Sequence, residues 1–199
     1  MTRGTKTFEA PDPEEPSTSR SPILVLTGER GAGKSSSCAR IAGLAAARGW
    51  RVAGVLSPAL LEEGQKVGIL VTDLCSGQTR PLARLNRNHK PGGLAYKFDP
   101  SALAWADAAV AASTPCDLLI LDELGPLEIE QGRGMVSAFR VLRDGRYRLA
   151  VVVVRPSLLD PFQTRLGLPC IVRTIRGLPR EAADPRALPV EWFEEYFRG

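Results

Sequence analysis

The chain has 199 residues, 44% of them hydrophobic and 24% charged, with a net charge of +4. That length and mix describe one globular domain, alone or with a tail, and exclude a collagen-like or wholly disordered polymer. A small excess of positive charge, scattered as 21 arginines and five lysines among the acids, suits any anionic ligand, nucleotide or nucleic acid alike, and so weak a footprint makes a nucleic-acid partner the lesser expectation.

There is no run of about 18 apolar residues, so no membrane-spanning helix is expected. The first twenty residues lack the apolar stretch of a secretory leader, and cytoplasm is the expected compartment. Cys38, Cys75, Cys116 and Cys170 lie 37, 41 and 54 residues apart, which fits no zinc spacing; each reads as an ordinary buried small side chain. His89 is the only histidine, which excludes a multi-histidine metal site.

Residues 1–20 are rich in Pro, Glu, Ser and Thr without apolar period and read as a flexible tail; residues 21–199 read as the folded domain. Ile23 to Leu26 is an apolar run of the kind buried on both faces of a parallel sheet. A Gly-rich turn comes next, then a helix from Ser35 to Arg48 ended by Gly49. Arg51 to Ser57 reads as a strand, and Lys66 to Leu74 with Thr79 to Leu85 as a hairpin around a turn at Cys75–Gln78. Asn86 to Gly93 is a polar loop, Ala95 to Phe98 a short strand and Ser101 to Ser113 a helix. Asp117 to Leu121 is a buried strand, Glu130 to Asp144 a helix, Arg148 to Val154 a strand, Ser157 to Leu166 a helix and Cys170 to Thr174 a strand. Val190 to Phe197 reads as a terminal amphipathic helix whose aromatic stripe most simply docks on the domain, with a partner-binding helix as the alternative. Alternating strands and helices predict an α/β fold: a mainly parallel sheet flanked by helices, with an inserted β-hairpin. Ligands in such folds bind at the carboxyl ends of the strands.

Gly28-Glu29-Arg30-Gly31-Ala32-Gly33-Lys34-Ser35 matches GxxxxGKS/T between a predicted strand and a predicted helix. The glycines let successive N–H groups turn toward phosphate oxygens, and the helix presents its positive end to the same anion. Lys34 reaches the β and γ phosphates and the Ser35 hydroxyl ligates Mg²⁺. Gly28 through Ser36 are therefore assigned to nucleotide binding. Arg30 reads more simply as an exposed loop arginine, with contact to phosphate as the alternative.

Leu118-Leu119-Ile120-Leu121 delivers Asp122 and Glu123 at a strand end. An aspartate there holds Mg²⁺, in large part through water. The next glutamate can orient or deprotonate the attacking water. The 87 residues between Lys34 and Asp122 leave room for a further strand between the two motif strands. Arg155 emerges after a core strand on the site's side of the sheet and is the leading candidate for a cation on the γ-phosphoryl group; Arg80, Arg84, Arg87 and Lys90 are weaker ones. The hairpin and the Asn86–Gly93 loop read either as a lid over the nucleotide or as an ordinary surface hairpin. Trp50, Trp105 and Trp192 are the tryptophans that could stack on a base; for Trp50 and Trp105 core or boundary packing is the better reading.

These motifs, with Gly49 to Pro58, Gly64 to Arg84 and Asp122-Glu123-Leu124-Gly125-Pro126-Leu127-Glu128 beside a DEIGPME signature, resemble the small P-loop nucleoside-triphosphatase family of thermophilic microbes and vertebrates. The resemblance covers about residues 22–155. It implies Mg²⁺-dependent hydrolysis of ATP, GTP, CTP and UTP to diphosphate and phosphate with weak base selectivity, phosphate binding by Gly28 to Ser35, metal assistance from Asp122 and catalysis by Glu123 with Lys34. Gln65-Lys66 stands where that family often has arginine, and the part after Arg155 matches poorly. A monomer is expected. A nucleoside or nucleotide kinase, and a nucleotide-dependent switch or assembly partner, are the other readings.

Overall fold

Strand β1 (Ile23–Thr27) is buried at all five residues, and its side chains divide by the two-residue period of a strand. Ile23 and Val25 enter one core; Leu24 and Leu26 enter the other. The computed structural model describes residues 20–86, 88, 95–176 and 191–197. Residues 1–19 of the predicted tail, and Arg87, His89 and Lys90 of the polar loop, lie outside them.

Helix α1 (Lys34–Ala47) comes next, then β2 (Val52–Leu56), β3 (Ala59–Glu62), β4 (Gln65–Asp73), β5 (Thr79–Leu85), β6 (Tyr96–Phe98), α2 (Pro100–Ala111) and β7 (Leu118–Leu124). The chain continues through α3 (Pro126–Ile129), α4 (Ser137–Asp144), β8 (Leu149–Val154), α5 (Leu159–Leu166) and β9 (Ile171–Thr174). Among the described residues, 3-10 segments occupy Pro156–Leu158 and Glu191–Phe197. All these strands join one sheet in the order β6-β5-β4-β2-β7-β8-β1-β9, with β3 attached to β4. From β2 to β9 every pairing is parallel; from β2 outward through β4, β5 and β6 every pairing is antiparallel.

The α/β expectation holds, and the predicted hairpin is the antiparallel wing of the main sheet. The strand between the two motif strands is β8. It comes from beyond Asp122 and not from the 87 residues before it.

Each face of the parallel part carries its own core. One face packs Val25, Ala53, Leu119, Leu121, Val152 and Val154 against Ala106, Val110, Phe139 and Phe162 of α2, α4 and α5. The other packs Leu24, Leu26, Leu118, Ile120, Val151 and Val153 against Cys38, Ile41 and Ala45 of α1 and against Phe193. β8 is buried at all six residues, at about 1.5–3 kcal/mol per large apolar side chain, so its carboxyl end is a firm mount for Arg155. Phe193 and Tyr196 dock as the aromatic stripe predicts, but the segment is 3-10 and not α-helical. The side chain of Trp192 lies outside the described residues.

Of the helix predicted over 130–144, only Ser137–Asp144 forms. Gly132 and Gly134 take φ of 61° and 73°, which a continuing helix cannot accommodate. Glu128 is buried there; it accepts N–H donors from Gly125 at 2.9 Å and Met135 at 3.1 Å, tying α3 to the approach of α4. Strand β3 escapes sequence reading because three of its four residues are exposed. The cysteines also depart from expectation: Cys75 is exposed in the β4–β5 turn and Cys170 only half-buried, while Cys38 and Cys116 are buried. No helix among the described residues is long and apolar enough to cross a membrane.

Candidate active site

The carboxyl ends of β1, β2, β7 and β8 line one edge of the sheet, and the polar residues of the two motifs stand there. Past Thr27 the chain turns through Gly28, whose φ is 144°. A Cβ at that position would sit 2.3 Å from the carbonyl oxygen of Ile175, so only glycine lets the loop pass the segment after β9. The amide of Ala32 donates to the carbonyl of Glu29 at 3.1 Å, which closes the loop. Gly33 caps α1 in the left-handed region, with no side-chain hydrogen bond to the first turn. The first-turn N–H groups are thus left for an anion.

Lys34 is buried. Its Nζ donates to the carbonyls of Gly28 and Glu29, both at 2.8 Å, so the ammonium spans the mouth of the loop. Glu29, Arg30 and Ser36 are exposed and Ser35 is half-buried. Arg30 is more than a loose surface arginine. Its guanidinium donates to the Tyr96 hydroxyl at 2.8 Å, and Lys66 Nζ stands 5.7 Å from the centre of the same ring. Only Val55 and Leu56 of β2 pair with β4. The rest of β4 runs past the end of β2, and with β5 and β6 it brings the antiparallel wing to the phosphate loop.

Asp122 is fully buried beside that loop. Ser35 Oγ donates to its Oδ1 at 3.2 Å and the Ser57 amide to its Oδ2 at 3.1 Å. The Ser57 hydroxyl also donates to the Asp122 carbonyl. Ser57, the first residue after β2, reads in the sequence only as the end of a strand. The one signal it carries there is its place at a carboxyl strand end, the edge that holds ligands.

β7 does not stop at Leu121 as expected but runs to Leu124, with an irregularity. Leu121 pairs with Val152 and Leu124 with Val154, so Asp122 and Glu123 together face Val153. Two residues against one is a bulge, a device that re-aims side chains. The peptide between them is cis. Asp122 turns to Ser35 and Ser57, while Glu123 turns to Arg155, whose Nε donates to Glu123 Oε1 at 2.5 Å. Arg155 thus stands on the site's side of the sheet, against the acid and not alone. Of the other candidate cations, Arg80 lies over the Trp105 ring at 4.4 Å and Arg84 pairs with Glu62 at 2.8 Å. Trp50, at the amino end of β2, carries the Arg148 guanidinium 4.5 Å over its ring. Both tryptophans are thus engaged by arginines.

Burial pushes the Asp122 carboxyl from 3.8 up to about 6, against the lowering effect of the Ser57 and Ser35 donors; the neighbouring Glu123 charge adds to the rise and Lys34 opposes it. A folded value above the unfolded one means that the carboxyl favours folding fully below about 4, and that this contribution is lost as pH rises through about 6. Asp122→Asn cannot ionise and keeps it. In chelator, the melting temperature of the variant should gain on the parent between pH 4 and 7, by an amount on the order of 2–3 kcal/mol of stability. A constant difference between the two over that range would refute this account of Asp122.

The oxygens of Ser35 and Asp122 suit a small hard dication. Mg²⁺ keeps several waters and takes few protein ligands, so a hydroxyl and a carboxylate 3.2 Å apart at the phosphate loop fit it. Among the described residues there is no cluster of three or more His, Cys, Asp or Glu able to hold a metal unaided, so water and a bound anion would have to complete the set.

A family model described as NTPase matches residues 23–173. The nucleoside-triphosphatase THEP1 of Methanopyrus kandleri is 29% identical over 177 residues, spanning 86% of this chain and 97% of its own. That of Ignicoccus hospitalis is 32% identical over 133 residues, 66% of this chain and 75% of its own. In fold, the chain is similar to the solution structure of a human cancer-related nucleoside triphosphatase, with a TM-score of 0.59 at 20% identity over 85% of this chain and 94% of that one.

Proposed function

Because the chain belongs to this NTPase family, we propose that it hydrolyses nucleoside 5'-triphosphates (ATP, GTP, CTP and UTP) to diphosphate and phosphate, with Mg²⁺ and with weak base selectivity. The observation that carries the reading is the convergence at one sheet edge of the Ser35–Asp122 pair, 3.2 Å apart, with Glu123 on the adjoining position of the bulge. The relatives' name specifies no base.

In this reading the loop amides from Gly28 to Ser35 bind the β and γ phosphates. Lys34 exchanges one of its two carbonyl partners for a phosphate oxygen. Ser35 and Asp122 would hold Mg²⁺, which when bound neutralises charge on the phosphates. Glu123 orients a water in line with the γ-phosphorus and takes its proton as the new P–O bond forms. The bond to the β-phosphate oxygen breaks, and the pair of electrons leaves with the diphosphate. A kinase holding a P-loop would need an acceptor in place of that water.

The test is phosphate release from the purified chain with each triphosphate, with and without Mg²⁺, and with nucleosides and nucleoside monophosphates added. Release from all four, with kcat/KM within about tenfold of one another, is expected without acceptor and only with Mg²⁺. Transfer to an acceptor with no release in its absence would replace hydrolysis with kinase chemistry.

A further inference from the structure

We propose that Arg155 is a positioning residue that acts through Glu123, and not a ligand of the γ-phosphate. The inference rests on the hydrolase reading above and adds to it the part that aims the glutamate.

Three features converge on this pair. The contact is short and specific: Nε of Arg155 to Oε1 of Glu123 at 2.5 Å, a charge-assisted hydrogen bond of the stronger kind. Both ends are mounted on firm backbone. Glu123 stands on the β7 bulge, held by its register with β8. Arg155 directly succeeds the fully buried β8 and precedes Pro156, with φ −69° and ψ 151°, the extended region that a following proline enforces. Finally, the bond takes one carboxylate oxygen. Among the described residues Oε2 of Glu123 has no partner, and it remains to accept a hydrogen bond from the attacking water.

A free glutamate samples several rotamers, and only some point at a water in line with phosphorus. A guanidinium that anchors Oε1 selects among them before substrate arrives, which is the preorganisation that raises kcat and leaves binding alone. A phosphate ligand behaves differently, because its loss weakens affinity for the triphosphate itself. The pair is half open to water, with side-chain exposures of 49% and 27%, so it contributes little to folding and the arginine can be replaced without unfolding the chain.

The experiment measures kcat, KM and the Kd of a non-hydrolysable triphosphate for Arg155→Ala and Arg155→Gln, then repeats Arg155→Ala in a Glu123→Asp background, where the carboxylate is drawn back from the guanidinium. The expected result is a kcat loss of about tenfold or more, with KM and Kd within about twofold, and less than about twofold further loss in the Glu123→Asp background. A Kd weakened about tenfold, an unchanged kcat, or the full loss persisting in the Glu123→Asp background would each overturn the proposal. Glu123→Gln alone separates the two readings: retained turnover there removes the glutamate from the mechanism, whatever Arg155 does.

Discussion

Glu123→Gln should bind triphosphate as the parent does and lose about 10²–10⁴-fold in kcat. The amide has nearly the shape of the carboxylate and keeps an oxygen that can accept from Arg155, whose Nε lies 2.5 Å from Oε1 in the parent. It cannot take a proton from water. The phosphate loop, Lys34 and the Ser35–Asp122 pair are untouched, so affinity is set by the same groups. Glu123 is also only half-buried, and a neutral isostere there leaves the core as it was. Single-turnover phosphate release, beside titration with a non-hydrolysable analogue, separates binding from chemistry. If hydrolysis continues at the parental rate, another base or an unassisted water performs the reaction and the role given to Glu123 is wrong.

Lys34→Ala should act on the other side of that division. The ammonium is buried at the loop mouth and held by two carbonyls at 2.8 Å. Its position lets it swing to a phosphate oxygen without leaving the loop. Removing a buried cation from a bound polyanion costs about 2–5 kcal/mol, so triphosphate affinity should fall by about 30-fold or more. Calorimetric titration with the analogue reads this directly. The carbonyls of Gly28 and Glu29 lose their donor in the variant, so a melting curve should accompany the titration to show that the loop still forms. An unchanged Kd in a folded variant would mean that the amides alone bind the phosphates.

The two variants probe the parts of the site with the most and the least dependence on tertiary context. The phosphate loop is contiguous. Its glycines, its lysine and the helix after it are neighbours in the chain, so a local pattern is enough to single out Gly28 to Ser35 as a candidate site. The Asp122–Glu123 pair is equally legible as a strand end, but its geometry is not. The strand pattern does not reveal the register slip against β8 at which the two stand, nor that one carboxylate meets Ser35 while the next meets Arg155. Ser57 lies 65 positions from the aspartate it holds, and Tyr96 lies 66 from Arg30. No local pattern signals such pairs, because they exist only once the sheet order is known. The rule that ligands sit at carboxyl strand ends puts Arg155 at the right edge. It does not say what an arginine there will touch. Arg80 and Arg84 look similar in the sequence and are engaged elsewhere, on Trp105 and Glu62.

By itself the amino-acid sequence determined the alternation of buried strands with helices, the Gly-rich strand-to-helix loop and the acidic strand end, since these depend on residues within a few positions of one another. The tertiary structure alone decided that β8 lies between the two motif strands, that the antiparallel wing reaches the loop, and that Arg155 meets Glu123. Those contacts depend on which strands pair and in what register, and pairing between distant segments is selected by the burial of whole faces, a property no short stretch of chain carries.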